Sequence, residues 1–295
     1  MRRLLAVPPA LWLGAFVLLP VIITLKISLS APATAQPPYL PVLDWSAGPE
    51  GWGTFLEALD FTNFETLASD ALYRDAALSS LTLAAIATAI LALIGTPIAH
   101  AMARASARVQ PLLVALVIVP FWTSFLIRIY AWIAILKPEG LLSAAFMKLG
   151  LIARPLEILN TQGAVLIGLT YAYLPFMVLP LYAVLAKLDP RLNEAAADLG
   201  AGPVRRFWTV TLPLARPGLV AGALLCFVPM VGEFIIPDLL GGSDTLMLGR
   251  VLWSEFFSNR DWPLAASVAI LVLVLVVGPL MILREAGQRR AEAPR

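Results

Sequence analysis

Apolar residues in this chain come in long unbroken runs, at residues 11–29, 76–99, 112–136, 164–185, 214–236 and 262–283. About 20 residues rising ~1.5 Å each cross the ~30 Å hydrocarbon core of a bilayer, so each run predicts a membrane-spanning helix. Runs that are continuous rather than alternating exclude a transmembrane barrel. A helix satisfies its own backbone in lipid, which makes all six runs helical. The expected fold is an all-α integral membrane protein with six transmembrane helices. Composition agrees: the 295 residues are 60% apolar and 14% charged, with a mean hydropathy of +0.84, which is no soluble domain.

The polar segments between the runs set the orientation. Thirteen of the 21 Lys and Arg residues fall on one side: Arg2, Arg3, Arg104, Arg108, Lys187, Arg191, Arg205, Arg206, Arg216, Arg284, Arg289, Arg290 and Arg295. Basic residues near span ends stay cytoplasmic, so both termini are expected inside the cell. The segment 31–75 falls outside; it carries Asp44, Glu50, Glu57, Asp60, Glu65, Asp70 and Asp75 against Arg74, with five prolines. It reads as a connector, with a short helix on the outer surface near Phe55 to Leu67. The opening "MRR", the apolar run and "APATA" imitate a secretion signal. The run is long for one and Lys26 interrupts its end, so an uncleaved first span is expected. The domain reading is a first span at 1–30, an outer segment at 31–75, a five-span core at 76–285 holding a cytoplasmic loop at 186–213, and a tail at 286–295.

Several chemistries drop out. Cys226 is the single cysteine and His100 the single histidine, so neither a disulfide framework nor a Cys/His metal cluster can form. No G-x-x-x-x-G-K-[ST], H-E-x-x-H or G-x-S-x-G is present, and no cofactor or nucleic acid is expected on the chain. An ion-coupled secondary transporter would carry more intramembrane titratable groups and inverted repeats, and would leave the cytoplasmic loop unexplained.

That loop contains "EAAADLGAGPVRRFWTVTLPLARPG", residues 194–218. Asp189 suits an N-cap and Pro190 a first helical position, so a helix of about ten residues is predicted to start there. Gly200 stands where a helix end needs positive φ. Gly202 and Pro203 restart the chain into a second short helix, before Leu212 and Pro213 lead into span five. Leu192, Ala195, Ala196 and Leu199 make a narrow apolar face of little bulk. Such a face fits a cleft on a partner or packs back on its own spans, and spacing alone does not choose.

The stretch resembles the signature loop of ABC importer membrane subunits: Glu-Ala-Ala, three residues, Gly, nine residues, a branched apolar residue, one residue, Leu-Pro. Here it is carried by Glu194, Ala195, Ala196, Gly200, Val210, Leu212 and Pro213, with Asp198 and Leu199 inside it and valine replacing the usual isoleucine. The resemblance covers roughly residues 76–285 and implies a type I permease core of five spans plus an N-terminal helix. It further implies that the loop is a coupling helix docking in a groove of a separate ATP-binding subunit, which holds ATP and Mg. Two such subunits, a second homologous permease subunit and a periplasmic or lipid-anchored solute-binding protein complete the implied assembly, in the bacterial inner membrane.

Residues 231–270 resemble the corresponding region of polyamine importer permeases, through Gly232, Glu233, Phe234, Pro237, Leu240, Gly241, Gly242, Gly249, Phe256, Phe257, Arg260, Asp261, Trp262 and Pro263. The residues themselves point the same way. An ionisable group near the end of span five is costly in a bilayer, and Glu233 would attract an ammonium group. Trp122, Tyr130, Tyr171, Tyr173 and Trp253 offer faces for cation–π contacts worth ~0.5–2 kcal/mol each. Three roles stay open for Glu233: pairing with Arg128, contact with substrate, or a place at the interface. Pro97, Pro120, Pro175, Pro180, Pro229 and Gly232 are expected to kink or unwind spans. A pathway lining is expected near Pro175 with Tyr171 and Tyr173, and near Pro229 with Glu233.

Overall fold

The computed structural model describes residues 2–42 and 48–292. Met1, Asp44 and Arg295 lie outside them, as do the side chains of Arg2, Arg3, Glu50, Arg284, Arg289 and Arg290. The chain divides into two compact units, residues 1–78 with 247–295, and residues 79–246.

In the first unit, α1 (Arg2–Leu13) passes through a π turn (Gly14–Leu18) into α2 (Leu19–Ser28). Lys26, which interrupts the apolar run, is accommodated locally: Nζ donates to the Pro41 carbonyl and lies 4.1 Å from the Tyr39 ring centre. The chain then forms an antiparallel hairpin of β1 (Ala31–Pro32) and β2 (Tyr39–Leu40), with Ala31 opposite Leu40. This is a small departure from the all-helical expectation, in a proline-rich stretch that cannot sustain a helix. Two short helices follow, α3 (Gly48–Glu57) and α4 (Thr62–Ser69), instead of one across Phe55 to Leu67. The Asp60 carboxylate accepts from Thr62 N at 3.0 Å and starts the second helix. The Asn63 amide donates to Ser28 O and Ser30 O at 2.9 and 2.8 Å, tying α4 to the end of α2.

The long helix α5 (Ala71–Arg104) begins in this unit and continues into the second. Five more helices build most of the second unit: α6 (Gln110–Ile118), α7 (Phe125–Leu136), α8 (Leu141–Lys148), α9 (Gln162–Leu185) and, after the loop, α12 (Leu212–Val231). Between α9 and α12 lie α10 (Arg191–Asp198) and α11 (Pro203–Arg206). After α12 comes α13 (Ile235–Leu240), and back in the first unit are α14 (Leu248–Trp253), a π segment (Ser254–Asn259) and α15 (Trp262–Glu292). Thr161 caps α9, its hydroxyl accepting from Ala164 N at 3.3 Å.

By length and composition, four of the described helices can cross a membrane, or five if one bent pair counts as a single span. The bent pair falls within the third span expected over 112–136, at Pro120, one of the prolines expected to kink or unwind a span. Residues 110–122 and 125–148 meet at 90°. Pro120 cannot donate to the preceding turn, the helix tightens to a 3₁₀ turn over Val119–Trp122, and Thr123 leaves it in an extended conformation. The fifth run is also cut short. Its helix ends at Val231, and Gly232 and Glu233 separate it from α13.

α9 and α12 form the tightest seam of the second unit. A Cβ placed on Gly218 would lie 2.9 Å from Pro180 O, and one on Gly222 would lie 3.0 Å from Met177 O. Glycines four residues apart let the two backbones approach to that distance, the small-residue packing favoured between helices in lipid. Cys226, one turn further on, is buried in the same seam, its thiol 3.5 Å from Tyr173 O.

Candidate functional site

The loop at 186–213 folds much as its caps dictate. The Asp189 carboxylate accepts from Arg191 N at 2.9 Å, and Pro190 is the cap of α10, one residue earlier than the helix proper. Gly200 has φ +80, the left-handed value its position requires. The segment after Gly202 departs from expectation. Instead of a second short helix, Pro203–Val231 is one continuous helix of 29 residues. Pro213 lacks a donor and its ring crowds the carbonyl four residues back. The preceding turn widens to π geometry over Phe207–Thr211, with Leu212 N bonded to Phe207 O, and the helix carries on.

Two faces of α10 differ. Asn193 turns inward, its amide oxygen accepting from Thr211 Oγ1 at 3.2 Å and its backbone carbonyl from Arg206 Nη1 at 3.4 Å. Leu192 and Leu199 point away, 46% and 89% exposed, and Glu194, Ala195 and Asp198 are exposed with them, while Ala196 is half-buried. Val210, Leu212 and Pro213 are half-buried in the helix that follows. The apolar face therefore does not fold back on its own chain. It is an exposed leucine-alanine surface on a short helix, anchored from behind by hydrogen bonds, and open to a partner.

Glu233 sits in the break between α12 and α13. One carboxylate oxygen accepts from Tyr173 Oη at 2.8 Å, and the other accepts from Ile235 N at 3.1 Å and starts α13. The ion pair with Arg128 is not formed. Arg128 instead lies over Phe121 and Phe125, 5.2 and 5.5 Å from their ring centres, and its Nε is buried with no hydrogen-bond partner. Tyr173 and Arg128 line a common cavity of about 670 Å³ with Phe121, Phe125, Phe176 and Pro229. Arg128 also borders a second cavity of about 250 Å³ that holds Tyr171 and Pro175. Of the expected pathway residues, the fold thus brings Tyr173, Glu233, Arg128 and Pro229 into one neighbourhood, with Tyr171 and Pro175 beside it.

The other three expected aromatics line neither cavity. Trp122 is 81% exposed, Tyr130 is exposed, and Trp253 belongs to the first unit, its ring 4.0 Å from Phe257. Phe121, Phe125 and Phe176 went unremarked in the sequence although they supply most of the aromatic wall. The signal for the first two was "PFWTSF", aromatics flanking the proline break, and Phe176 follows Pro175 directly. Glu255 was also missed. It is 8% exposed and accepts from Tyr73 Oη at 2.9 Å and Asn259 Nδ2 at 2.8 Å, which fully occupies it within the first unit.

Residues 92–290 match the family described as binding-protein-dependent transport system inner membrane component. The chain is 40% identical over 265 residues to the spermidine/putrescine transport system permease protein PotB of Haemophilus influenzae, covering 90% of this chain and 86% of that one. It is 44% identical over 213 residues to the Escherichia coli K12 protein of the same name, covering 72% and 77%. Among solved structures, a bacterial alginate ABC transporter in complex with a periplasmic protein aligns over 99% of this chain and 96% of that chain, at a TM-score of 0.71 and 15% identity. An inward-facing methionine ABC transporter aligns over 76% and 97%, at 0.56 and 21%. These two likenesses speak for the fold alone.

Proposed function

The chain belongs to the family of binding-protein-dependent transport system inner membrane components, and from that premise we propose that it is a membrane-spanning subunit of an ATP-driven importer of polyamines. The observation that carries the substrate class is the 40% identity to a spermidine/putrescine permease across nine-tenths of the chain. The part-buried Glu233 beside an aromatic-walled cavity is consistent with an ammonium-bearing cargo.

In this reading the chain crosses the inner membrane six times with both termini cytoplasmic, the bent α6–α7 pair forming the third span. α10 is the coupling helix. Leu192, Glu194, Ala195, Ala196 and Leu199 enter a groove of an ATP-binding subunit, present in two copies and holding ATP and Mg; this chain itself hydrolyses nothing. A second homologous permease subunit completes the pathway, and a solute-binding protein delivers the polyamine from outside. Tyr173 holds Glu233 in place, and Glu233 meets the cargo as it passes.

Co-purification tests the assembly: an ATPase subunit comes down with the tagged chain, and its ATP turnover responds to the loaded binding protein. Glu194→Lys abolishes that response. If the variant keeps both uptake and stimulated turnover, the coupling role is wrong. A cognate binding protein that takes up sulfate or iron and ignores putrescine and spermidine overturns the cargo while leaving the machine.

A further inference from the structure

A second polar cavity lies behind α10 and takes no part in the scheme above. It has two lobes, of about 110 and 190 Å³, which share His100, Arg104, Asn193 and Thr211. Four segments wall it: the last turns of α5, the end of α9 with the link after it (Leu185, Ala186 and Leu188), the inward face of α10, and the helix entering α12, which adds Arg206 to the smaller lobe.

The charge in this cavity is one-sided. Two guanidinium groups and an imidazole line it, no carboxylate does, and none of the three makes an ion pair among the described residues. Their hydrogen bonding is also incomplete. Arg206 donates one long bond, from Nη1 to Asn193 O at 3.4 Å, while its Nε is buried with no partner. Arg104, an exposed residue at the rim of the cavity, donates no hydrogen bond among the described residues. Nearby acceptors are engaged with other donors: the Asn193 amide oxygen with Thr211, and the Ala103 and Ala105 carbonyls with the Gln110 amide. Phe207 closes the wall with its ring 5.5 Å from that of His100. A buried charged donor without an acceptor is costly, and like charges at one cavity add to that cost. What relieves both is a compact ligand that brings negative charge and several acceptor oxygens.

We propose that this cavity is a binding site for a phosphate-class oxyanion, taken up by Arg206 Nε, the Arg104 guanidinium and a ring nitrogen of His100. Guanidinium forks match such oxygens in both geometry and charge. Two sources offer the same chemistry, the headgroup of an acidic phospholipid and free inorganic phosphate. The lipid source rests on the cytoplasmic placement of the loop proposed above; the anion chemistry does not. Basic pockets between helices at that membrane face are suited to anionic headgroups. A bound anion would join α5, α10 and the start of α12 directly behind the face offered to the ATPase, and so stiffen the element through which coupling passes.

Thermal unfolding of the full chain, purified in uncharged detergent, tests this with three probes: short-chain phosphatidylglycerol, short-chain phosphatidylcholine and inorganic phosphate. Phosphatidylglycerol is expected to raise the midpoint saturably where phosphatidylcholine does not. The concentration needed rises about fivefold in Arg104→Gln, which removes one cationic contact, and returns towards the native value in Arg104→Lys. Stabilisation by inorganic phosphate to the same plateau assigns the site to the free anion; stabilisation by the lipid alone assigns it to the headgroup. Arg104 is the informative position because, unlike Arg206, it holds no hydrogen bond whose loss would itself weaken the fold. No shift with either anionic probe, or an equal response in native chain and Arg104→Gln, overturns the proposal. Either failure leaves ATPase docking untouched, since that is read by co-purification.

Discussion

Small residues occupy two surfaces of the same unit and meet opposite fates. At the α9–α12 seam, Gly218 and Gly222 are covered so closely that an added methyl group would strike the backbone of the facing helix. On α10, Ala195 lies open beside Leu192 and Leu199, with none of the described residues over it. The first surface has spent its capacity for close approach inside the fold; the second still has it. Smallness alone therefore does not distinguish a packing face from a docking face. The neighbour does, and on α10 the proposed neighbour is another protein.

Breaking the filled surface should have the largest effect. Gly222→Val forces side-chain atoms into Met177 and its carbonyl, and overpacking of this kind costs about 1–3 kcal/mol, towards the upper end where backbone is struck. The expected outcome is a lower unfolding midpoint and reduced yield of the purified chain. Ala195→Leu should do the reverse: the unfolding midpoint stays within about 0.5 kcal/mol of native, as for other exposed positions, while the amount of co-purified ATPase falls about tenfold or more. A variant at 195 that unfolds the chain, or one at 222 that spares it, would dissolve the contrast.

Smaller effects separate the two ends of the proposed mechanism. Glu233→Gln removes the charge and keeps the shape, so polyamine uptake should drop about tenfold while the ATPase still co-purifies. Tyr173→Phe removes one bond to that carboxylate and should cost less, about 1 kcal/mol, read as a several-fold loss of uptake. Asn193→Ala unties α10 from Thr211, and a loss of about 1 kcal/mol should register as faster proteolysis within the loop.

The loop was legible in the sequence because its instructions are local. Asp189, Gly200 and the Ala195–Leu199 face act within a turn or two, so caps and spacing suffice to place them. The continuity from Pro203 to Val231 was not legible, since a π turn upstream of Pro213 removes the conflict that proline signals. The surroundings of Glu233 were legible only in part. Its cost at a span end marked it, and Tyr173 and Pro229 were picked out as neighbours, but the partner was open. Tyr173 stands 60 residues away, and whether it or Arg128 reaches the carboxylate depends on where the 119–124 break turns the third span. A charge was the natural partner to expect; the 90° bend instead leaves Arg128 on Phe121 and Phe125. Glu255 passed unnoticed for a related reason, since its partner Tyr73 is 182 residues away.

In the proposed assembly an ATP-binding subunit fills the open face of α10. The chain's only cysteine, Cys226, is buried, so a cysteine introduced by Ala195→Cys is the one reactive thiol. Its rate of maleimide labelling should be measured in the chain alone and after assembly with the ATPase, with Leu141→Cys, at another exposed position, as reference. Assembly is predicted to slow labelling at 195 by about tenfold or more and to leave 141 unchanged. Equal labelling at 195 before and after assembly would contradict the account.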